Sequence, residues 1–176
     1  MKTKDPRRQL RGQMSKAMGK NFETYIDHTF ESYKHKGVAV IEKTPEPIRV
    51  VRPLGGGKFV AFFEKSAQVD YKGTLAGGRS VIAEAKFTST DKMQQDRVSD
   101  GQADYLTSHH RLGAVCFIII GFGSGAVYRI PWTVWKNMKK IYGRKYLMEN
   151  DIKEYVVPVG RNGMLKLLDD WKEESQ

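Results

Sequence analysis

The run from Ala114 to Gly123, AVCFIIIGFG, constrains the fold more than any other stretch of the chain. A membrane-spanning helix needs about 20 apolar residues, so this shorter run reads as a buried strand. The segments around it supply its cover. Residues 15–35 are expected to form a helix: Ser15 can cap it, Phe22, Ile26, Phe30 and Tyr33 recur at helical spacing, and Gly37 ends it. A second helix is expected over 99–111, with Ala103, Leu106 and His110 on one side, and a short third over 132–142 with Trp132, Trp135 and Met138. Strands are expected at 37–43, 67–73, 80–87, 113–122 and 126–132, with a polar loop over 89–99. A basic segment, KKIYGRKY, follows the third helix, and the tail reads as a strand, EYVVPV, and a helix, MLKLLDDWKEE. This order gives an α/β fold with a mixed central β-sheet flanked by helices.

The chain has 176 residues, of which 40% are hydrophobic, which suits one domain over 15–176. Residues 1–14 carry Lys2, Lys4, Arg7, Arg8 and Arg11 without apolar periodicity, and are expected to be a disordered basic arm that either docks on phosphates or solubilises the chain. No apolar segment of signal-peptide type follows the N-terminus, and no membrane association is expected. One cysteine, Cys116, can form no internal disulfide, so a reducing cytoplasm is the expected compartment. Thirty Lys and Arg against twenty Asp and Glu give a net charge of +10. A surface of that sign attracts polyanions, nucleic acid first among them.

Between the first strand and the next lies TPEPIRVV, where Pro45 and Pro47 hold the chain extended. The basic, glycine-rich turn RPLGGGK follows, and then FVAFFEK. Two apolar segments around such a turn suggest a long β-hairpin projecting from the body over about 49–65.

The chemistry lies in VDYKG and AEAKF: Asp70, then Glu84 and Lys86 after a turn. Residues i and i+2 of a strand share a face, so Glu84 and Lys86 point the same way. An antiparallel strand returning through 73–79 brings Asp70 beside Glu84. Two carboxylates and the Ala85 carbonyl then suit a hard cation such as Mg²⁺, which takes oxygen ligands. Lys86 would orient the attacking water, help deprotonate it, or steady the charge developing on phosphorus. A solvated strand face carries the same spacing by chance in other chains; the apolar Val81 and Ile82 and the small Ala83 and Ala85 argue that this strand is buried. Gln102 on the second helix and Glu23 on the first could orient a metal-bound water or a ligand.

These residues resemble the PD-(D/E)xK nuclease superfamily, and within it the RecU-type Holliday junction resolvases of bacteria and their phages. The resemblance runs over about residues 19–135. It rests on GKNFE in the first helix, GVAVIEKTPEPIRVV with its K-x-P-x-P-I, DYKG followed by EAK and Thr88, the helix with Gln102, and GAVCFIIIGF with AVYRIPW. It implies a homodimer that binds four-way junction DNA and cuts two opposing strands symmetrically with Mg²⁺ or Mn²⁺, in recombination and repair. Recombinases and branch-migration helicases are possible further partners. Asp70, Glu84 and Gln102 would sit at the metal, with Lys86 stabilising the transition state. The hairpin would be a stalk entering the junction, with Arg49, Arg52, Lys58 and Lys65 toward phosphates and Phe62 or Phe63 packing or stacking on bases.

Two features depart from the family pattern. Gln68 stands two positions before the motif aspartate, where a hydroxyl residue is usual; its side-chain oxygen is a candidate substitute. The turn TLAGGRS is longer, and the N-terminal arm shorter, as a phage-type member would have them. Two alternatives are a PD-(D/E)xK endonuclease for another DNA substrate and a non-catalytic junction-binding protein. Trp132, Trp135 and the first helix are candidate dimer contacts.

Overall fold

The computed structural model describes residues 6–63 and 68–169, with side chains from residue 17 onward except that of residue 63. Helix α1 (Pro6–His35) leads into strand β1 (Ala39–Lys43), then the ribbon β2 (Ile48–Gly55) and β3 (Lys58–Phe63), then β4 (Tyr71–Leu75) and β5 (Ser80–Thr88). A short β6 (Lys92–Gln94) and a 3₁₀ turn precede α2 (Asp100–Arg111), followed by β7 (Val115–Phe122) and β8 (Val127–Pro131). The short helices α3 (Trp132–Lys136) and α4 (Met138–Tyr142) lead to β9 (Tyr146–Met148).

The central sheet has the order β1-β4-β5-β7-β8, with β5 and β7 parallel and every other pair antiparallel. It is the mixed sheet that the sequence implies, and every residue of β7 is buried. Alternation along the two middle strands sorts side chains into two layers. Val81, Ala83, Ala85, Val115, Phe117 and Ile119 face α1, where Phe22, Ile26, Phe30 and Tyr33 cover them. Ile82, Cys116, Ile118 and Ile120 face the other way, against Leu106, Trp132, Trp135 and Met138. Gly121 lets α1 approach: a Cβ there would lie 2.8 Å from the Phe22 ring.

The ribbon β2–β3 forms a separate two-stranded sheet, and every residue of β2 is exposed. Its tip is Gly55, Gly56 and Gly57, all at positive φ (86, 58 and 75°), which glycine adopts without strain. The expected projecting hairpin is therefore present over its described part.

Several expectations are corrected. Helix α1 begins at Pro6, not Ser15, so residues 6–14 continue a helix rather than forming a disordered arm; residues 1–5 lie outside the described part. Proline suits a first helical position, where its missing N–H has no partner to lose. The segment read as the strand EYVVPV starts in a 3₁₀ turn (Lys153–Tyr155) and makes only isolated bridges, Val156 to Tyr128 and Val159 to Leu165. The tail read as a helix shows bends and a bridge over 164–169, with Leu165, Leu167 and Leu168 buried; its remainder lies outside the described residues. Trp132 and Trp135, candidate dimer contacts by sequence, are core residues, 3% and 1% exposed, and Phe22, Ile26, Phe30 and Tyr33 of α1 pack on the sheet. Among the described residues no helix is long and apolar enough to cross a membrane.

Candidate active site

Strands β4 and β5 pair from Thr74↔Ser80 to Tyr71↔Ala83, and there the ladder stops. Continuing that register places Asp70 opposite Glu84. Side chains complete the strand pairing at this point. The Asp70 N–H donates to Glu84 Oε2 at 3.0 Å, and the Ala85 N–H donates to Asp70 Oδ2 at 2.9 Å. Each carboxylate is thus fixed by the other strand's backbone. A strand residue turns its N–H and C=O to the same edge, so the Ala85 carbonyl leaves β5 on the Asp70 side.

Lys86 pairs with Glu84 Oε1, as their shared strand face requires. Helix α2 delivers the fourth member. Ser99 caps it by accepting from the Gln102 N–H, while Gln102 Oε1 accepts from the Ser99 N–H at 3.1 Å. This capping box commits the Gln102 oxygen and turns its Nε2 inward, where it donates to Glu84 Oε1 at 2.7 Å and to the Gln68 carbonyl at 3.2 Å. Gln102 therefore reaches the site as expected, but it presents a donor that orients Glu84 rather than a metal-binding oxygen. Exchanging O and N would set oxygen against two acceptors.

Glu84 is fully buried. Burial, followed by the Asp70 charge, pushes its carboxyl up to about 7, against the opposing pull of Lys86. Asp70 is raised as well, by burial first, with the Ala85 N–H and Lys86 opposing and the Glu23 charge adding to the rise. Two carboxylates in one desolvated place hold more negative charge than one lysine neutralises.

Glu23 lies at the margin. Its Oε2 pairs with Lys43 Nζ at 2.5 Å, and its influence on Asp70 is through charge. The Gln68 Oε1 accepts from Lys72 Nζ at 2.9 Å. The sequence reading did not include Lys43 or Asp27. Lys43 is opposite Tyr71 in the β1–β4 register, and the Tyr71 hydroxyl donates to Asp27 Oδ1 at 2.7 Å, packing α1 against the site. Finding them required the pairing of β1 with β4, which no local pattern discloses. Among the described residues no group of three or more His, Cys, Asp or Glu side chains is placed to hold a metal ion; the oxygen donors are the Asp70 and Glu84 carboxylates and the Ala85 carbonyl.

The ribbon has two unlike faces. Its register pairs Arg49 with Phe62 and Arg52 with Val60, with a bulge between Val50 and Arg52. Arg49 and Arg52, three apart, would face opposite ways in a regular strand; the bulge returns both to one face. That face carries Arg49, Arg52, Lys58, Val60 and Phe62, which is 65% exposed. The other carries Ile48, Val50, Pro53, Phe59 and Ala61. Lys65 and the side chain of Phe63 lie outside the described part.

Comparison with known proteins gives the family. A family profile described as "Recombination protein U" matches residues 17–172. The protein named Holliday junction resolvase RecU from Bacillus pumilus is 30% identical over 146 residues, 77% of this chain and 70% of that one. Proteins of the same name from Geobacillus sp. (27% over 148 residues, 78% of this chain and 73% of that one) and Streptococcus sanguinis (28% over 149 residues, 80% and 74%) are similar over nearly the same span. With the matched span enclosing Asp70, Glu84, Lys86, Gln102 and the ribbon, this chain belongs to the RecU family.

Proposed function

We propose that this chain is a divalent-metal-dependent DNA endonuclease that resolves four-way junctions by symmetric cleavage of two opposing strands. The observation that carries the proposal is the convergence of Asp70, Glu84 and Lys86 at the end of the β4–β5 ladder, in a chain of the RecU family.

The donor set fits a hard divalent cation. Two carboxylates and a backbone carbonyl are oxygen ligands, few enough to leave room for water and phosphate. Asp70 and Glu84 would hold Mg²⁺ or Mn²⁺ with the Ala85 carbonyl. Bound there, the ion would polarise the scissile phosphate and make water a stronger nucleophile. Gln102 holds Glu84 in place through its Nε2 and is a positioning residue. The Lys86 ammonium, which is mostly buried and lies on the same face, would steady charge on the phosphate oxygens. Glu23, held by Lys43, adds negative charge at the rim and is proposed to orient water.

The cationic face of the ribbon, with Arg49, Arg52, Lys58 and Phe62, is proposed to meet junction phosphates and bases; Lys65 is proposed to extend it. Two symmetric cuts need two sites related by a two-fold axis, so the working form is proposed to be a homodimer. The single buried thiol, Cys116, suits a reducing cytoplasm.

The test compares a synthetic four-way junction with a linear duplex at equal concentration, with Mg²⁺ or Mn²⁺ and with EDTA. The proposal expects junction cleavage with metal and none with EDTA. Equal cutting of both substrates would favour the wider PD-(D/E)xK alternative, and binding without cutting under every metal condition would favour a non-catalytic junction binder.

A further inference from the structure

Residues 132–148 contain no aspartate or glutamate and carry Lys136, Lys139, Lys140, Arg144 and Lys145. These four lysines are exposed, and none makes an ion pair among the described residues. The fold adds Lys92 from β6, whose Nζ lies 5.2 Å from the centre of the Tyr146 ring, while the Arg144 guanidinium lies 4.9 Å from the same ring and pairs with Asp151. Lys136 and Lys145 border a cleft that Asp96, Asp100 and Asp104 also line, while Lys92, Lys139 and Lys140 lie outside it. Like charges without paired carboxylates repel one another, and an anion relieves that cost.

The position of this surface gives it meaning. Strands β6 and β9 pair from Lys92↔Met148 to Gln94↔Tyr146. Their inward side chains, Met93 and Leu147, join Trp135 and Met138 in the core layer with Ile82, Leu106 and Ile118. That layer covers the sheet face to which Glu84 and Lys86 point. The lysines therefore sit on the outside of the layer that flanks the active site. Two links tie it to the end of β5. Arg97 donates to the Phe87 carbonyl at 3.5 Å, one residue beyond Lys86. Gln95 donates from its N–H to the Lys145 carbonyl at 2.9 Å and from Nε2 to the Trp135 carbonyl at 2.8 Å. The 3₁₀ turn Gln95–Arg97 thus joins the end of β5 to the backbone at Lys145. The ribbon leaves the body elsewhere, between β1 and β4.

We propose that Lys92, Lys136, Lys139, Lys140 and Lys145 form a second phosphate-binding surface, which grips a duplex arm of the DNA as it leaves the catalytic site. This rests on the nuclease reading above. Flexible, exposed ammonium groups suit the regularly spaced phosphates of a duplex and carry no base information. The ribbon then selects the junction, and the lysine surface sets the arm's direction across Asp70 and Glu84.

The test is the salt dependence of DNA binding by the full chain, followed by fluorescence anisotropy in EDTA on a labelled junction and a labelled linear duplex. The variant combines Lys139→Gln, Lys140→Gln and Lys145→Gln. Each lost phosphate contact should lower the slope of log K against log salt by about 0.9, so the triple variant should lose about 2 to 3 on both DNAs. A control removes three cations that already have partners, Lys34→Gln, Lys36→Gln and Lys166→Gln, and should leave the slope unchanged. An unchanged slope in the test variant beside a wild type that cuts junctions overturns the surface and spares the nuclease reading. A reduced slope beside a wild type that never cuts spares the surface and overturns the nuclease reading. Equal losses in test and control variants overturn the surface, because net charge alone would then explain the effect.

Discussion

Replacing Asp70 with asparagine should make the metal-free protein more stable while removing its activity. The Glu84 carboxyl stands at about 7 against an ordinary 4.5, with burial the first cause and the Asp70 charge the second. A rise of that size corresponds to about 3 kcal/mol of cost for the ionised side chain. Asp70 supplies the lesser share, so its neutralisation should return about 1 kcal/mol. The sign follows from linkage: a carboxyl with a raised folded pKa makes the native state bind more protons between 4.5 and 7, so stability falls as pH rises through that window. Asparagine keeps an oxygen for the Ala85 N–H and removes the charge. In EDTA at pH 8, Asp70→Asn should raise the melting temperature by about 2–4 °C for a chain of this size. The gain should shrink toward nothing near pH 4.5, where Glu84 is protonated in both proteins. Added Mg²⁺ at ten times its Kd should stabilise wild type by about 1.4 kcal/mol and the variant far less. Thermal melts at the two pH values, with and without metal, provide the measurement. A variant less stable than wild type at pH 8 in EDTA, or one equally stabilised by Mg²⁺, would refute the reasoning.

Other residues give independent tests. Gln102→Leu removes the donor to Glu84 and the capping-box oxygen, and should lower kcat by about 10- to 100-fold while costing about 1 kcal/mol of stability through the lost cap; undiminished turnover would show that Glu84 needs no such support. Gly121→Ala sets a methyl group against the Phe22 ring and should cost about 1–3 kcal/mol in urea unfolding; a neutral result would mean that α1 shifts freely on the sheet. Burial pushes the Cys116 thiol up to about 12, so it should resist a disulfide reagent at pH 8 in native protein and react on unfolding; rapid native reaction would contradict its place in the core. Deleting Gly55 to Lys58 should weaken junction selectivity more than duplex binding, as gel-shift competition would show; retained selectivity would remove the ribbon from junction recognition.

The sheet's interior was legible because its signal is local. Val115 to Phe122 is apolar throughout, and Val81, Ala83 and Ala85 alternate with Ile82, Glu84 and Lys86, so two-residue periodicity discloses both strands and the face that Glu84 shares with Lys86. Helix α1 was visible from Phe22 to Tyr33, where its stripe meets the sheet, and invisible before Ser15, where no apolar stripe marks it. The tail misled for a physical reason: Leu165, Leu167 and Leu168 form an apolar run too short for periodicity to separate strand-like from helical burial. Strand β6 was hidden in a polar loop because Met93 is its only buried residue and its partner β9 lies some fifty residues on. In the site, the Asp70, Glu84 and Lys86 constellation followed from strand geometry. The inward turn of the Gln102 amide did not, because the capping box with Ser99 and the place of the Gln68 carbonyl decide it together.

The most direct test of the central claim is the mapping of cuts in a four-way junction with each strand labelled in turn, for wild type, Asp70→Asn, Glu84→Gln and Lys86→Ala. With Mg²⁺, the wild type should nick two opposing strands at symmetry-related positions, while the three variants bind the junction and leave it whole. Cutting by Asp70→Asn or Glu84→Gln at the wild-type rate, or no cutting by wild type with either Mg²⁺ or Mn²⁺, would contradict it.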